Sequence, residues 1–272
     1  MPDLAEPPVG TAHAPDGEVV MTTPARGQRL DLAMVERGLA SSRERAQALI
    51  AAGLVRLGEA PARSAAQRIS DAVAVVVTGR DHPWASRGGI KLAAALEGFG
   101  VDVGGRTCLD AGASTGGFTD VLLSRGAAMV YAVDVGYGQL VQRLATDRRV
   151  RVLDRTNLRS LRSLPGEPPA LTTLDLSFIS LRLVLPRVAA LAAAGGEVIA
   201  LVKPQFELGR DQVGRNGIVR DPAAGEAAAT ALLAWAGAEL GAGGSGPLAS
   251  PITGQKGNRE WLIHLTLKGA AR

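Results

Sequence analysis

The stretch "LDAGASTGGFTD" (109–120) reads as the end of an apolar strand, a glycine-rich turn and the start of a helix. Glycine at 112, 116 and 117 lets the backbone approach a ligand closely. Ser114 stands where the second glycine of G-x-G-x-x-G would be, and no G-K-[ST] follows, so a dinucleotide pyrophosphate and a nucleoside triphosphate are both disfavoured. The turn predicts an open α/β sheet that binds its ligand at the carboxyl ends of its strands.

The chain around this turn alternates strand-like and helix-like segments, which is typical of a doubly wound sheet with helices on both faces. The predicted strands are "TCLDAGA" (107–113), "MVYAVDVG" (129–136), "RVRVLDR" (149–155), "LTTLDLSF" (171–178), "EVIALVKP" (197–204) and "EWLIHLTL" (260–267). The predicted helices include "FTDVLLSRG" (118–126), "SLRLVLPRVAALAAAG" (180–195) and "AAGEAAATALLAWAGAEL" (223–240). A Rossmann-like α/β domain is therefore expected over residues 87–272.

Two acids suggest which ligand the turn serves. Asp110 precedes the glycines and suits a ligand with an ammonium group, while Asp134 ends the second strand, where an acid binds ribose hydroxyls in nucleoside-binding sheets. Together they fit S-adenosylmethionine, which is cationic at its amino acid end, neutral at its ribose and without phosphates. The alternative is that the glycines only allow tight packing. The other residues predicted to line the cofactor site are Gly112, Ala113, Ser114, Gly116, Gly117, Phe118, Val135, Asp154 and Asn157. A turn or capping role is equally compatible with the last two.

Lysine is scarce in this chain: of 30 Lys and Arg residues only four are Lys, at 91, 203, 256 and 268. Lys203 follows the apolar run "EVIALV" (197–202), and Pro204 is expected to stop the strand there. A ribose 2′-hydroxyl is a poor nucleophile unless a base takes its proton during the attack. Arg stays protonated, whereas a desolvated Lys can be neutral. Lys91 and Lys203 therefore suggest that a deprotonatable amine is needed, with chance placement as the alternative.

Other methyl acceptors fit the sequence less well. Methylation at cytosine C5 needs a Cys nucleophile, and Cys108, the single Cys, lies inside the first predicted strand, where we expect it to be inert core. Exocyclic amines are usually held by [DN]-P-P-[FY] after the fourth strand, where this chain has "DLSF" (175–178) without either Pro. A hydroxyl acceptor is the better match.

The N-terminal part of the chain has a different composition. Residues 1–27 are rich in Pro, Ala and Gly and are expected to be disordered, with Met21 as an alternative start. Residues 28–78 read as two short helices and a small sheet, and residues 79–86 read as a linker. Between residues 28 and 80 there are eight Arg, five acids and no Lys, which indicates either a solvated helical face or a surface for a polyanion.

The segment "RLDLAMVERGLASSRERAQALIAAGLVRLGEAPAR" (29–63) strongly resembles the S-four-type RNA-binding domain, named for the ribosomal protein in which it was first seen. The shared pattern is R-L-D, then G-L-x-x-S-R-x-x-A, then L-I-x-x-G-x-V. This chain departs from it where the family usually has "VNG" and this sequence has "RLGEA". The resemblance implies that a small set of residues faces RNA phosphates and ribose. These are Arg29, Ser42, Arg43 and Arg45, with Arg87 as a further candidate in the next domain.

A series of motifs resembles the TlyA family in identity and order over roughly residues 28–268. They are "SRGGIKL" (86–92), "LDAGASTGGFTD" (109–120), "VYAVDVGYGQL" (130–140), "DRTN" (154–157), "DLSFISL" (175–181), "LVKPQFE" (201–207) and "GNREW" (257–261). Members resemble FtsJ-like RNA ribose 2′-O-methyltransferases that carry an N-terminal S-four-type domain. The resemblance implies a class I S-adenosylmethionine methyltransferase sheet, S-adenosylmethionine as cofactor, and cytidine riboses of ribosomal RNA, in one or both subunits, as substrate.

The Lys-Asp-Lys-Glu tetrad of this family falls on Lys91, Asp175, Lys203 and Glu260. The resemblance implies that Lys203 is the general base. Lys91 and Asp175 would tune the pKa of Lys203 and hold the hydroxyl in line with the sulfonium, with Lys91 as the neighbouring cation that helps to keep the Lys203 amine neutral. Glu260 would orient either the acceptor or Lys91.

Composition and charge exclude several other classes of protein. The formal net charge of +4 is compatible with a polyanionic partner, and the aromatic content of 3% argues against a platform of stacked bases. The sequence predicts no membrane span, no secretory signal and no metal site, so we expect a cytoplasmic monomer.

The loop "ELGRDQVGRNGIVRD" (207–221) is expected to close on RNA or to be an ordinary solvated loop. Competing functions are a non-catalytic RNA-binding ribosome assembly factor and, less well supported, a membrane-lytic haemolysin.

Overall fold

The computed structural model describes residues 27–40, 42–51, 53–78, 82–209, 211–254 and 256–268, leaving out the side chain of Pro222. Except for Gly27, the predicted N-terminal extension (1–27) lies outside the described residues, and so do residues 79–81 of the predicted linker. The chain divides into two compact units, Met1–Asp81 and His82–Arg272.

The smaller unit consists of two short helices and short strands, as the sequence predicts. The helices are α1 (Leu30–Glu36) and α2 (Arg43–Ala51), and the strands are β1 (Gln28–Arg29), β2 (Val55–Leu57), β3 (Ala60–Pro61), β4 (Arg68–Ile69) and β5 (Val75–Val77). The strands β3, β2 and β5 form an antiparallel sheet in that order, and β1 pairs with β4. The apolar faces of the two helices meet in one buried cluster. It includes Leu30, Ala33, Met34, Ala46, Leu49, Ile50, Val55 and Ile69.

The larger unit is built on a seven-stranded sheet. Its strands are β6 (Thr107–Ala111), β7 (Met129–Val133), β8 (Val150–Leu153), β9 (Leu171–Leu174), β10 (Glu197–Val202), β11 (Gly243–Ala249) and β12 (Trp261–Thr266). The spatial order is β11-β12-β10-β9-β6-β7-β8. Strands β6 to β10 are parallel, whereas β12 runs antiparallel to β10 and β11 antiparallel to β12. The predicted Rossmann-like α/β fold is confirmed, and all six predicted strands are present.

Helices cover both faces of this sheet. They are α3 (Gly88–Phe99), α4 (Gly117–Ser124), α5 (Gln142–Ala145), α6 (Leu185–Leu191), α7 (Pro204–Glu207) and α8 (Pro222–Leu240), with a 3₁₀ turn at Leu181–Leu183. Alternation along β6 sends Leu109 to the apolar cluster under α6 and α8, and Cys108 to the cluster under α3 and α4. Cys108 is fully buried, and this burial raises the pKa of its thiol to about 12, so the prediction of inert core is confirmed.

The parallel strands all end at one side of the sheet, which we call the carboxyl edge. It is defined by the residues that directly follow β7, β8, β9 and β10, namely Asp134, Asp154, Asp175 and Lys203. The end of β10 follows from its sequence, because Pro204 is the first residue of α7 and cannot donate to the sheet. Polar side chains predicted from separate motifs thus lie along one edge.

Candidate active site

Lys203 occupies a partly buried position at the carboxyl edge, in contact with a carboxylate and a hydroxyl that both come from the segment after β9. Its Nζ lies 2.6 Å from Asp175 Oδ1 and donates a hydrogen bond of 2.9 Å to Ser177 Oγ. The Lys203 side chain is 11% exposed and that of Asp175 is 22% exposed. Two residues of the predicted tetrad are therefore in direct contact, and Ser177 joins them as a partner that the sequence did not single out.

Lys91 and Glu260 form a second ion pair. Lys91 lies on the buried face of α3, and its Nζ contacts Glu260 Oε2, with both side chains at most 10% exposed. Glu260 directly precedes β12, where Trp261 pairs with Val202, so Glu260 and Lys203 lie next to each other just beyond the paired residues. The sheet register thus brings the second pair to the same edge as the first.

These contacts correct one detail of the sequence interpretation. Lys91 was expected to act as a neighbouring cation that keeps the Lys203 amine neutral. The Lys91 ammonium is instead paired with Glu260, and the closest charge to Lys203 is the Asp175 carboxylate. The alternative role of Glu260, to orient Lys91, agrees with the contact between them.

The glycines of the 112–117 turn serve close packing within the protein. Gly112 has φ +85°, and a Cβ there would lie 2.5 Å from the Asp175 carbonyl oxygen. Gly116 has φ +100°, and a Cβ at Gly117 would lie 2.2 Å from Ser86 Oγ. Each glycine therefore fits the turn against a neighbouring segment, so the tight-packing alternative accounts for them directly. The turn therefore packs against the backbone of Asp175, the residue that forms an ion pair with Lys203.

Asp110 does not contact a ligand in the way that the sequence suggested. It is fully buried, accepting hydrogen bonds from Thr119 Oγ1 at 2.7 Å and from Thr173 Oγ1 at 3.2 Å. Burial raises the pKa of its carboxyl to about 7, although both hydrogen bonds lower it. The prediction of a direct contact with an ammonium group is wrong, because the carboxyl is enclosed and already has two partners. Its role is to fix α4 and β9 to the strand that precedes the turn.

Asp134 has the position and the open capacity of a ribose ligand. Its carboxylate accepts the Ser114 N–H at 2.8 Å and the Gly136 N–H at 2.7 Å, and it is partly exposed. Each oxygen keeps a further lone pair, so two hydroxyl groups can still donate to it. Val135 beside it is 70% exposed and offers an apolar surface. Ser114 is exposed as well and has φ +46°.

The other residues predicted to bind the cofactor are either buried or hydrogen-bonded to backbone N–H groups of the protein. The side chains of Ala113 and Phe118 are 6% and 3% exposed and belong to the core, so they cannot line an open site. Asp154 accepts the Gly138 N–H at 2.9 Å, while Asn157 Oδ1 accepts the Arg159 N–H at 3.0 Å. Asn157 thus has the turn role that was the alternative for it.

An exposed aromatic pair lies beside Lys203 and was missed in the sequence. Phe178 is 90% exposed and has φ +65°, a left-handed backbone conformation that is costly for an aromatic residue. Its ring contacts that of Phe206 on α7, with centroids 5.3 Å apart. The chain has only four Phe, and two of them follow the ends of neighbouring strands. This placement was the sequence signal that could have indicated an aromatic pair at the site. A strained, solvent-facing ring next to Lys203 is suited to stacking on a ligand.

The predicted RNA-binding residues of the smaller unit are organised by a buried acid. Asp31 is fully buried and accepts hydrogen bonds from Arg29, Arg43 and Gln47 at 2.9–3.0 Å. The hydrogen bond from Arg29 is the main reason that the pKa of Asp31 is held well below its usual range. The Arg29 and Arg43 side chains remain partly exposed, at 34% and 49%.

Ser42 caps a helix, and its predicted RNA contact stays a prediction. Its Oγ accepts the Arg45 N–H at 3.1 Å, as an N-cap residue does at the start of a helix, here α2. Arg45 is half-buried on the same helix, and Arg87 is half-buried directly before α3. RNA contacts of these two Arg stay predictions.

Within the described ranges, no group of three or more His, Cys, Asp or Glu side chains is arranged to hold a metal ion. Across the same residues, no helix has the length and apolar character needed to cross a membrane.

Comparison with known proteins agrees with this geometry. The profile of the FtsJ-like methyltransferase domain matches residues 84–267, and that of the S4 domain matches residues 28–72. A curated relative is 50% identical over 245 residues, which is 89% of this chain and 90% of the relative. It is the 16S/23S rRNA (cytidine-2'-O)-methyltransferase TlyA of Mycobacterium tuberculosis. The chain belongs to the TlyA family.

Other members of the TlyA family carry names of a different kind. Hemolysin A of Brachyspira hyodysenteriae is 36% identical over 241 residues, covering 88% of this chain and 100% of that relative. A solved structure of a candidate hemolysin from Streptococcus thermophilus is 40% identical, covers 89% of both chains and superposes with a TM-score of 0.69. The fold of this chain therefore occurs in a relative that is named as a hemolysin.

Proposed function

We propose that this protein is an S-adenosylmethionine-dependent methyltransferase that methylates a ribose 2′-hydroxyl in ribosomal RNA, on cytidine. The observation that carries the proposal is the placement of Lys203 between Asp175 and Ser177, beside the Lys91–Glu260 pair, at the carboxyl edge of an FtsJ-like sheet. The substrate follows the name of the Mycobacterium tuberculosis relative at 50% identity. A ribosomal substrate would place the activity in the cytoplasm.

Residues at the ends of β6, β7 and β8 fit S-adenosylmethionine. Asp134 would bind the ribose hydroxyls, and the exposed Val135 would lie against the apolar part of the nucleoside. The 112–117 turn carries exposed Ser114 and Thr115 and no cation, a set that suits a phosphate-free ligand. When bound, the cofactor supplies an electrophilic methyl group on a sulfonium.

Lys203 would take the proton of the 2′-hydroxyl as the methyl carbon passes from sulfur to the ribose oxygen. A neutral amine has two N–H donors and one lone pair. Ser177 accepts a hydrogen bond from Nζ and the Asp175 carboxylate lies 2.6 Å from it, so these two groups can hold both donors, which leaves the lone pair for the hydroxyl proton. The Asp175 carboxylate then stabilises the ammonium that forms, much as a buried acid stabilises the protonated base of a catalytic triad.

The acceptor nucleotide would lie against Phe178. Its exposed ring is held by Phe206 next to the Lys203 site, so a base stacked on it brings its own ribose toward Nζ. The S4 unit would hold the surrounding RNA through Arg29, Arg43 and Arg45, with Arg87 contributing from the methyltransferase unit.

The test is transfer of tritiated methyl groups from S-adenosylmethionine to purified unmodified ribosomal subunits. General acid–base catalysis contributes about 10²- to 10⁴-fold, so Lys203→Ala should lower kcat by at least about 10²-fold. Lys203→Arg should be similarly impaired, because a guanidinium keeps its protons. Lys268 is exposed and lies at the edge of the sheet opposite the carboxyl edge, so Lys268→Ala is the matched control and should transfer methyl groups at the wild-type rate.

Two results would count against the proposal in different ways. Full activity of Lys203→Arg would remove the role of Lys203 as base while leaving the reaction in place. No incorporation by the wild-type protein into any ribosomal particle would remove the reaction itself.

A further inference from the structure

The chain between α7 and α8 folds back on itself as a small hairpin, residues 212–220. Val213 and Val219 form an antiparallel bridge, the Gly214 N–H donates to the Ile218 carbonyl at 2.8 Å, and the Arg220 N–H donates to the Gln212 carbonyl at 3.2 Å. These contacts give the segment a hairpin form, which we call the 212–220 hairpin.

A buried amide fixes this hairpin to the segment before β12. Asn258 is 4% exposed. Its Nδ2 donates to the Gly217 carbonyl at 2.8 Å, and its Oδ1 accepts the Val219 N–H at 2.9 Å. One side chain therefore satisfies the hairpin backbone at its turn and on its returning strand. Because burying a polar side chain is favourable only with such partners, the hairpin and the 256–259 segment are expected to keep one relative arrangement.

These two segments together present four exposed cations. Arg215 and Arg220 lie on the hairpin, and Lys256 and Arg259 lie on the segment that Asn258 belongs to. Lys256 reaches the hairpin turn, since a Cβ added at Gly217 would lie 3.6 Å from its Nζ. Over the described residues, the side chains of these four cations make no ion pair or hydrogen bond.

The acids of the same region do not cancel this charge. Asp221 accepts the Ala223 N–H at 2.9 Å and caps α8, and Asp211 is the other exposed acid on the hairpin's flanks. Glu260 is buried against Lys91. Four exposed cations thus face two exposed acids, one of which is occupied in capping.

This basic surface lies next to the carboxyl edge. Arg259 directly precedes Glu260, and β12 begins at Trp261 opposite the last residue of β10, so the 256–259 segment borders the edge that carries Lys203. Unpaired guanidinium and ammonium groups bind phosphate oxygens, and contacts of this kind position a nucleic acid without reading its sequence.

We propose that the 212–220 hairpin and residues 256–259, held together by Asn258, form a phosphate-binding surface for the RNA backbone next to the acceptor nucleotide. The inference rests on the proposed function for the identity of the polyanion. The surface belongs to the methyltransferase unit itself, and it complements the Arg groups of the S4 unit. Its contribution is to hold RNA at the site, so it acts on RNA affinity and on KM and leaves the methyl-transfer step unchanged.

The test compares two double variants in the full-length protein. Arg215→Gln with Arg220→Gln removes two cations of the surface. Arg148→Gln with Lys268→Gln is the control pair. Arg148 precedes β8 and Lys268 follows β12, so both exposed cations lie at the edge of the sheet opposite the carboxyl edge. Binding of unmodified ribosomal subunits is measured over a series of salt concentrations, and methyl transfer is measured over a series of subunit concentrations.

The hairpin variant should bind subunits at least about tenfold more weakly at low salt. The slope of log Kd against log salt should fall by about 0.7–0.9 for each phosphate that the variant no longer neutralises. KM for subunits should rise while kcat at saturation stays within about twofold. The control pair should match the wild type in Kd, slope and KM. Equal Kd, slope and KM for the hairpin variant and the wild type would overturn the proposal.

Asn258→Ala tests the arrangement separately from the charges. It should lower subunit affinity toward that of the hairpin variant and speed proteolytic cleavage within 212–220, with all four cations still present. Unchanged affinity together with faster cleavage would show that the arrangement does not matter. If the wild type binds subunits but transfers no methyl group, the proposed function fails, while the affinity and the salt slope still decide the role of this surface.

Discussion

Asp110 is a buried carboxyl whose ionisation works against the fold. Burial raises its pKa from an ordinary 3.8 to about 7, outweighing the hydrogen bonds from Thr119 and Thr173. The folded protein therefore binds this proton more tightly than the unfolded chain does. The stability that results is fully present below a pH of about 3.8 and is lost as the pH rises through about 7.

Asp110→Asn should remove this part of the pH dependence, because the amide carries no proton to lose. Relative to the wild type, the variant should gain stability as the pH rises from about 4 to about 8. Urea unfolding midpoints over that range provide the measurement, with the exposed Glu226→Gln as control. A difference between variant and wild type that stays constant with pH would contradict the assignment.

Phe178 should matter for RNA and not for stability. Phe178 is 90% exposed, and Ala has the same Cβ cost at its positive φ, so Phe178→Ala should leave the unfolding free energy nearly unchanged. Stacking on a base contributes about 1–3 kcal/mol, so kcat/KM for ribosomal subunits should fall by about 5- to 150-fold. Phe178→Tyr keeps a ring and should retain most activity. Normal kcat/KM in the alanine variant would exclude a stacking role.

At the scale of elements, Glu207 at the end of α7 connects the two strand ends that carry Asp175 and Lys203. Its carboxylate accepts the Ser180 hydroxyl at 2.7 Å and the Leu181 N–H at 2.8 Å. Burial is the largest influence on this group and raises its pKa. The contact holds the segment after β9 against the segment after β10.

Glu207→Ala should destabilise this junction, because the Ser180 and Leu181 donors lose their partner. An unsatisfied buried donor costs about 1–3 kcal/mol, which should appear in the unfolding free energy. The loss should be accompanied by a lower kcat, since the Asp175–Lys203 pair spans the same junction. Glu226→Ala on exposed α8 surface is the matched control. Wild-type kcat with reduced stability would separate the junction from catalysis.

Much of the element pattern could be predicted from the sequence, for reasons that these residues make clear. Strands β6 to β10 and β12 are apolar runs with recognisable ends, as Pro204 after β10 illustrates. Strand β11, "GGSGPLA" (243–249), was not predicted, because Gly and Pro have low strand propensity and only pairing with β12 makes it a strand.

The candidate site could be predicted as a set of residues but not as a set of contacts. Family motifs select Lys91, Asp175, Lys203 and Glu260, yet which Lys pairs with which acid depends on the register of β12 against β10. The burial of Asp110 and the solvent exposure of Phe178 likewise depend on three-dimensional packing, which periodicity within a single segment does not contain.

At the scale of the whole molecule, charge is divided among separate places. Asp31 holds Arg29 and Arg43 on the S4 unit, Asn258 holds the hairpin that carries two further Arg on the methyltransferase unit, and each Lys of the tetrad is paired with an acid. The net charge of +4 is thus compatible with a molecule whose exposed cations bind RNA backbone.

The most direct measurement asks which atom receives the methyl group. Unmodified ribosomal subunits are incubated with the protein and S-adenosylmethionine carrying a deuterated methyl group, and the RNA is digested to nucleosides for mass spectrometry. The account predicts label in 2′-O-methylcytidine, at least about 10²-fold less with Lys203→Ala. Label on a base, or no label with the wild-type protein, would contradict it.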